Sequence, residues 1–478
     1  MKHKTFHIGI IFLYQLDKRY VIIYRGIHYT LVMIKKRKEK TIMTKRFKYK
    51  DVLENREYRK LLLSSVINRF GDSIDAIAFT WLVYQITKSA SWAALIFGLN
   101  VLPNIVVQPF IGPIVEKMDK KKVIVVTDIL RAVIIAVFAF MYVTGIVNPY
   151  IMAGFTLLIT TVESFCLPAS GAFTPSVLKK EELAHGMSLN SSLSEVFSLI
   201  GKGCAGVIIA NIGVQAAMFI DASTFVIAGI LIFFTKTTAE RTPETAEEPV
   251  PEKADGDAGA KESYSAMLKD GLSYVLHNHA ILNICFVAVL MNFFLVPLNS
   301  LQAPIAEEIY GLGIELLSVI GMAAAIGGII GSIITPMITE KMSTKKVIVV
   351  FGLIIGIFMY LMSTGKVLGG AALPGYIFAG LCFFMMVMAA SVISGCVSIQ
   401  FVKTCDQSYL ARAGAVLGAG SMAATPIGAF LVSLVSVRLS AAFLIALCGI
   451  FMVVILVFVS LSKLDFEITG KKELVDAA

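Results

Sequence analysis

Charged residues are scarce in this sequence. Of its 478 residues only 16% are Asp, Glu, Lys or Arg, where a soluble domain carries about 25%. The deficit runs along nearly the whole chain, which excludes a water-soluble globular domain of ordinary composition. There is no GxxxxGK[ST] loop to cradle a nucleotide and no HExxH or other catalytic zinc motif. The six histidines fall in the N-terminal arm, one loop and the end of a linker. The seven cysteines (Cys166, Cys204, Cys285, Cys382, Cys396, Cys405 and Cys448) form no CxxC pair and read as reduced, small apolar residues. The ten-residue alternation of a membrane barrel is also missing. Neither a cofactor nor an enzymatic activity is expected.

What is present is apolar sequence, 57% of the chain, in runs too long for buried core helices. A helix needs about 20 such residues to cross about 30 Å of hydrocarbon, and in lipid it satisfies its own backbone groups. Twelve spans can be marked, at 61–87, 91–115, 123–147, 149–177, 187–211, 213–235, 279–303, 313–338, 347–368, 371–399, 409–436 and 438–462. The sequence predicts an all-α membrane protein. Its parts are a basic N-terminal segment 1–60, a six-helix bundle 61–235, a linker 236–278, a second bundle 279–462 and a tail 463–478. The linker is rich in Pro, Gly and acids, with too little apolar surface to fold alone. Residues 1–42 read as a mis-called upstream extension or a disordered basic arm. Met43 is a plausible start, and no signal-peptide cleavage site is seen.

The net charge of +9 does not point to nucleic acid, because the cations sit in short loops between spans. Lys117, Lys120, Lys121, Lys122, Lys179, Lys180, Lys341, Lys345, Lys346, Lys403 and Arg412 fall on one side, against Lys88, Lys366 and Arg438 on the other. By the positive-inside rule both termini and the linker are expected in the cytoplasm, with the chain in the cell membrane.

The most informative pattern is a repeat. Glu116-Lys117-Met118 and Lys121 to Val126 recur as Glu340-Lys341-Met342 and Lys345 to Val350 at a constant offset of 224. The same offset pairs Asn68 with Asn292 and Phe70 with Phe294. Two same-orientation halves, each with an even number of spans, predict a parallel repeat with a substrate path between the halves at mid-depth. A site between moving halves suits alternating access better than a channel or an intramembrane enzyme.

The stretch Gly112-Pro113-Ile114-Val115-Glu116-Lys117-Met118-Asp119-Lys120-Lys121 resembles the signature loop of the major facilitator superfamily. Glu116 stands where Asp is usual and Asp119 where Gly is usual. Gly71-Asp72, Thr80 to Tyr84, Asp128 to Ala132, Leu167-Pro168-Ala169, Glu181-Glu182-Leu183, Ser188 to Ser191 with Ile200-Gly201, and Asp221 to Phe225 resemble the branch containing macrolide-efflux proteins and the enterobactin exporter. The similarity covers residues 55–465. It implies a monomeric secondary transporter of this fold that exports small hydrophobic or amphiphilic molecules. The same fold with a siderophore or lysophospholipid as cargo is the alternative.

Ionisable residues inside the spans cost about 2.5–3.5 kcal/mol each and so face a partner or a wet cavity. They crowd the first half. Arg69, Asp72 and Asp75 lie at i, i+3 and i+6 on one helix face. Asp128 and Arg131 fall in the third span, Glu163 in the fourth, Glu195 and Lys202 in the fifth, and Asp221 in the sixth. The second half offers Val296, Asn299 and Pro426 at the positions of Asp72, Asp75 and Lys202. Asp72, Asp75 and Glu163 are candidate proton carriers, or else fixed partners of Arg69, Lys202 or Arg131. Asp128 and Arg131 are expected to pair and brace the cytoplasmic gate. Lys202 stands where the branch usually has Pro, and either neutralises Glu195 or binds an anionic substrate. Gly112, Glu116, Lys117, Lys120, Lys121 and Arg412 are expected to latch the halves on the cytoplasmic side, with the loop carboxylate at a helix N-terminus; solvated charges that only fix topology are the alternative. Glycines at 327, 328 and 331, and at 414, 418 and 420, are expected at helix contacts.

Overall fold

A computed structural model describes residues 49–179, 182–237, 264–368, 372–406 and 409–462. The chain divides into two compact units, Met1–Glu54 and Asn55–Ala478. In the first, the described part is a short helix, Tyr49–Glu54. The arm 1–42, most of the linker, Lys180, Glu181 and the tail 463–478 lie outside the described residues.

The second unit is helical throughout its described residues. Its spans are α1 Arg56–Thr87, α2 Ala90–Val106 continuing as Gln108–Glu116, α3 Lys120–Val143, α4 Pro149–Val177, α5 Leu183–Ile212 and α6 Val214–Phe233. The second half has α7 His279–Ser300, α8 Glu315–Lys341, α9 Thr344–Ser363, α10 Ala372–Thr404, α11 Leu410–Ser436 and α12 Ala441–Leu461. Ten of these are long and apolar enough to cross a membrane, and the two pieces of α2, bent by 50°, make an eleventh. Helix α1 completes the twelve; the charges at its middle lower its apolarity. The α2 break coincides with Pro109, a residue with no N–H to give to the helix ladder. The helix restarts around it after Val107.

Boundaries are set locally. Asn55 caps α1 by accepting from the Glu57 and Tyr58 amides at 3.1 and 3.3 Å. At the other end Lys88 takes the left-handed conformation, φ 47°, and closes the last turn onto the Tyr84 carbonyl. Asn148, Asn278 and Ser440 cap α4, α7 and α12 in the same way as Asn55.

Packing repeats as the sequence does. In the first half α1 packs on α5, α2 on α4, α3 on α4 and α3 on α6. In the second, α7 packs on α11, α8 on α10, α9 on α10 and α9 on α12. Each of these pairs is its partner shifted by six spans. The halves meet through α2 with α11 and α5 with α8, which are themselves equivalent under the same shift. This is the architecture of two parallel six-helix repeats. Gly327 and Gly331 do sit at the α8–α10 contact, where an added Cβ would lie 2.5 Å from the Phe384 and Met388 carbonyl oxygens. On α11, Gly420 sits against α7, where an added Cβ would lie 3.3 Å from Val289 Cγ2, whereas Gly418 meets nothing within 4 Å.

The start of α1 meets the ends of α4 and α6 and the start of α5, through Asn55 to Val177 O at 3.2 Å, Lys60 to Phe234 O at 2.7 Å and Tyr58 to Gly186 O at 2.7 Å. In the second half the starts and ends correspond: Thr344 of α9 bonds Gln400 of α10 at 3.1 Å and Lys345 bonds the Ser462 carbonyl beyond α12. These ends define one face, here the terminal face.

The linker departs from expectation. Its last part is a helix, Tyr264–His277, packed on the start of α11. Tyr274 stacks on Tyr409 with centroids 4.3 Å apart, its hydroxyl accepts from the Asp406 amide at 3.0 Å, and Val275 is buried. A segment that cannot fold alone gains its apolar partner from α11.

Candidate functional site

Four helices of the first half bring their ionisable groups together. Arg131 on α3 reaches across to α1 and donates to Asp72 Oδ1 at 3.1 Å, with its guanidinium 4.0 Å from the Phe225 ring centroid. Asp128 on the same helix is fully buried and, among the described residues, makes no ion pair; the Asn68 side chain is a polar group facing it. The expected Asp128–Arg131 pair is thus corrected. Three residues on one helix share a face, but a guanidinium long enough to cross finds the carboxylate of the neighbouring helix instead. Glu163 on α4, Asp75 on α1 and Asp221 on α6 complete the group, each close enough to Arg131 to interact electrostatically with it. Asp221 is 1% exposed, with Thr224 donating to its backbone carbonyl at 2.7 Å. Gly71 makes room for it, since a Cβ there would lie 2.6 Å from Asp221 Oδ1. Asp75 faces a small apolar pocket of about 60 Å³ with Phe79, Asn100 and Phe138.

Five carboxylates therefore gather around Arg131, with the Arg69 guanidinium lining the same crevice and also acting on Glu163. Burying an uncompensated carboxylate costs several kcal/mol, so the group cannot be ionised all at once. It lines a crevice of about 540 Å³ that includes Asp72, Asp128, Arg131 and Glu163 and runs out to Tyr58 and Met187 at the terminal face.

The second expected pair is also corrected. Glu195 lies 3.6 Å from Arg69 of α1, both side chains about half exposed, rather than against Lys202. Seven residues are two helical turns, about 10 Å along the axis, which leaves Glu195 nearer to the α1 cation. Arg69 was not among the site residues drawn from sequence. Its signal was present, one turn before Asp72 on the same face. Lys202 instead points into a cavity of about 1010 Å³ between the halves, shared with Thr80, Glu195, Asn299, Gln302 and Phe383. Glu195 lines both this cavity and the acid-rich crevice. The Arg69–Glu195 pair marks the junction of the two.

On the face opposite the termini the halves are clasped. Tyr84 donates to Glu308 at 2.8 Å, Gln85 to Glu307 at 2.9 Å and Lys88 to Glu307 at 2.8 Å. Ser91 meets Ser433 at 3.0 Å, and the Gly206 amide donates to Ser318 at 2.7 Å. Tyr84 and Glu308 are 224 positions apart, the offset of the internal repeat. A bond between equivalent positions of two repeats lies on the axis relating them, so this clasp sits at the centre of the molecule. Sequence reading missed it because Glu307 and Glu308 lie just past the drawn end of the seventh span, where charges read as loop.

The signature loop holds different contacts. Glu116 and Lys117 are exposed, and Lys120 donates to the Glu116 backbone carbonyl at 2.6 Å. Lys121 lies 6.0 Å from the Phe233 ring of its own half. Asp119, not Glu116, caps a helix, accepting from the Lys122 amide at 3.3 Å at the start of α3. Nothing lies within 4 Å of a Cβ at Gly112. Among the described residues the loop makes no ion pair to the second half. Arg412 bonds Asp270 of the linker helix at 2.5 Å, so it braces the linker rather than this loop.

Known proteins with this pattern are transporters. The chain is 24% identical over 317 residues to the uncharacterized MFS-type transporter YkuC of Bacillus subtilis, covering 65% of this chain and 72% of that one. It is 22% identical over 379 residues to macrolide efflux protein A of Streptococcus pyogenes, covering 78% and 87%. The solved nucleoside transporter NupG superposes with a TM-score of 0.67 at 10% identity, covering 85% of this chain and 98% of that one, a likeness of fold. The family model of the Major Facilitator Superfamily matches residues 61–399. With two parallel six-helix repeats around a central cavity, the chain belongs to the Major Facilitator Superfamily and is a multi-pass membrane transporter.

Proposed function

We propose that this transporter exports small hydrophobic or amphiphilic molecules in exchange for protons, by alternating access, with its terminal face in the cytoplasm. The observation that carries the reading is the excess of carboxylates around Arg131, joined through Glu195 to a cavity between the halves. A proton entering the cluster relieves its charge, and a substrate in the cavity meets the same Arg69–Glu195 pair. Competition of this kind couples the two movements. Relatives such as macrolide efflux protein A support efflux as the direction, and the Lys-rich loops support the orientation. Members with siderophore or lysophospholipid cargo would use the same geometry. In the opposite state the signature loop, with open space at Gly112, is free to engage the second half.

The test is a toxicity panel in an efflux-deficient host, paired with everted vesicles. Asp72→Asn keeps the size of the side chain and a hydrogen-bond acceptor for Arg131 but removes the carboxylate charge. Substrate-dependent proton release is expected to fall by about a hundredfold, the low end of a general acid–base contribution. Equal protection by wild type and Asp72→Asn against the same compound overturns the coupling.

Rocking of the halves has its own check. The Ser91 and Ser433 hydroxyls lie 3.0 Å apart across the clasp, within reach of a disulfide once both are cysteine. Oxidising the Ser91→Cys, Ser433→Cys pair is expected to stop transport and a reductant to restore it. Undiminished transport by the fully crosslinked protein refutes opening at this face.

A further inference from the structure

Lys202 is the one feature of the central cavity that the acid cluster does not use. It is partly buried on α5, at mid-depth between the halves, and the carboxylate expected to neutralise it is held by Arg69 instead. Among the described residues, no acid lies within ion-pair distance of its ammonium group. The cavity lining carries one cation, Lys202, and one carboxylate, Glu195, and that carboxylate lies 3.6 Å from Arg69 of the neighbouring crevice. The stem of Lys202 rests against α8, where a Cβ at Gly321 would lie 3.4 Å from Lys202 Cδ. The second half thus fixes the direction in which the ammonium projects. The Ser192 hydroxyl and the Gln302 amide line the same cavity and can donate to an anion, while Phe97, Ile320 and Val387 supply apolar wall. At about 1010 Å³ the space takes a drug-sized molecule.

We infer that the substrate of this cavity is an amphiphile carrying a single anionic group, a carboxylate or a phosphate, which binds Lys202 while its apolar body lies along α8 and α10. A lone ammonium at mid-depth is costly, and an incoming anion removes that cost on both partners, so it is preferred over a neutral body of equal size. An aminosugar cation, by contrast, meets repulsion there. This inference rests on the transporter reading only for the purpose of the site.

The experiment measures binding in lipid nanodiscs without a proton gradient, using dansyl-undecanoate as the anion and its methyl ester as the neutral control. Lys202→Gln is expected to weaken dansyl-undecanoate about tenfold, the effect of one charge-assisted hydrogen bond, while Lys202→Arg retains affinity. The ester is expected to bind wild type and Lys202→Gln alike, which also shows that the variant is folded. Displacement by laurate and by lauroyl lysophosphatidate then separates the sources. Lys202 dependence with the first assigns a free acid, and with the second a lipid headgroup. Equal affinity of wild type and Lys202→Gln for dansyl-undecanoate overturns the proposal. Lys202-dependent binding in a protein whose Asp72→Asn variant still exchanges protons leaves this inference standing and removes the coupling assignment.

Discussion

Replacing Arg131 with methionine is expected to cost about 3–5 kcal/mol of stability, the usual consequence of removing one partner from a buried charge group. Transport is expected to be lost with it. The guanidinium is 12% exposed, bonds Asp72 at 3.1 Å and lies over Phe225, so no water replaces it cheaply. Five carboxylates then lack their shared cation. Arg131→Lys is expected to recover little, because a compact ammonium cannot both stack on the ring and reach α1. Asp72→Asn added to Arg131→Met removes one of the stranded charges and should restore part of the stability. Thermal unfolding of the four proteins in detergent gives the coupling energy between positions 72 and 131. Unfolding temperatures that simply add, or an Arg131→Met protein as stable as wild type, would show that Arg131 does not hold the cluster together.

Alanine at Gly71 is the second large effect. An ideal Cβ there clashes with Thr224 Oγ1 and lies 2.6 Å from Asp221 Oδ1, so α1 and α6 must part or Thr224 must turn. Its hydroxyl is bonded to the Asp221 carbonyl at 2.7 Å, and turning it breaks that bond. Overpacking of this kind costs about 1–3 kcal/mol, and the upper part of the range is expected because both helices are held by other partners. Thr224→Ala in the Gly71→Ala background removes the nearest atom but leaves Asp221 Oδ1 at 2.6 Å, and should recover part of the loss. A Gly71→Ala protein with unchanged unfolding temperature would mean that the two helices do not approach this closely at Gly71.

These two experiments test different kinds of information. The ionisable residues of the first half were legible because charge inside an apolar run is rare and cannot hide. Their partners were legible only in part, the pairing of Asp72 with Arg131 being one of the alternatives the sequence leaves open. The spacing of Asp128 and Arg131, and of Glu195 and Lys202, places each pair on a shared helix face and suggests pairing along it. The structure instead pairs Arg131 with Asp72 and Glu195 with Arg69, both across helices. Helical periodicity states which way a side chain faces, and only the packing of α1 against α3 and α5 states what it faces. Arg412 gives the same lesson: its partner Asp270 lies 142 positions away, on a stretch whose composition reads as unstructured until α11 covers it.

The sequence by itself determined the membrane, the span count and the doubling of the fold. Each rests on a local property, namely run length against bilayer thickness, and on a repeat visible at a fixed offset. The tertiary structure alone decided that the acids converge around Arg131, that the carboxylate of the central cavity, Glu195, pairs with Arg69 rather than Lys202, and that Tyr84 and Glu308 join the halves at the far face. Those depend on distances of a few ångströms between helices far apart in the chain. Such distances are fixed by which small residues let backbones approach, as Gly71 does for Asp221, and a linear pattern does not encode them.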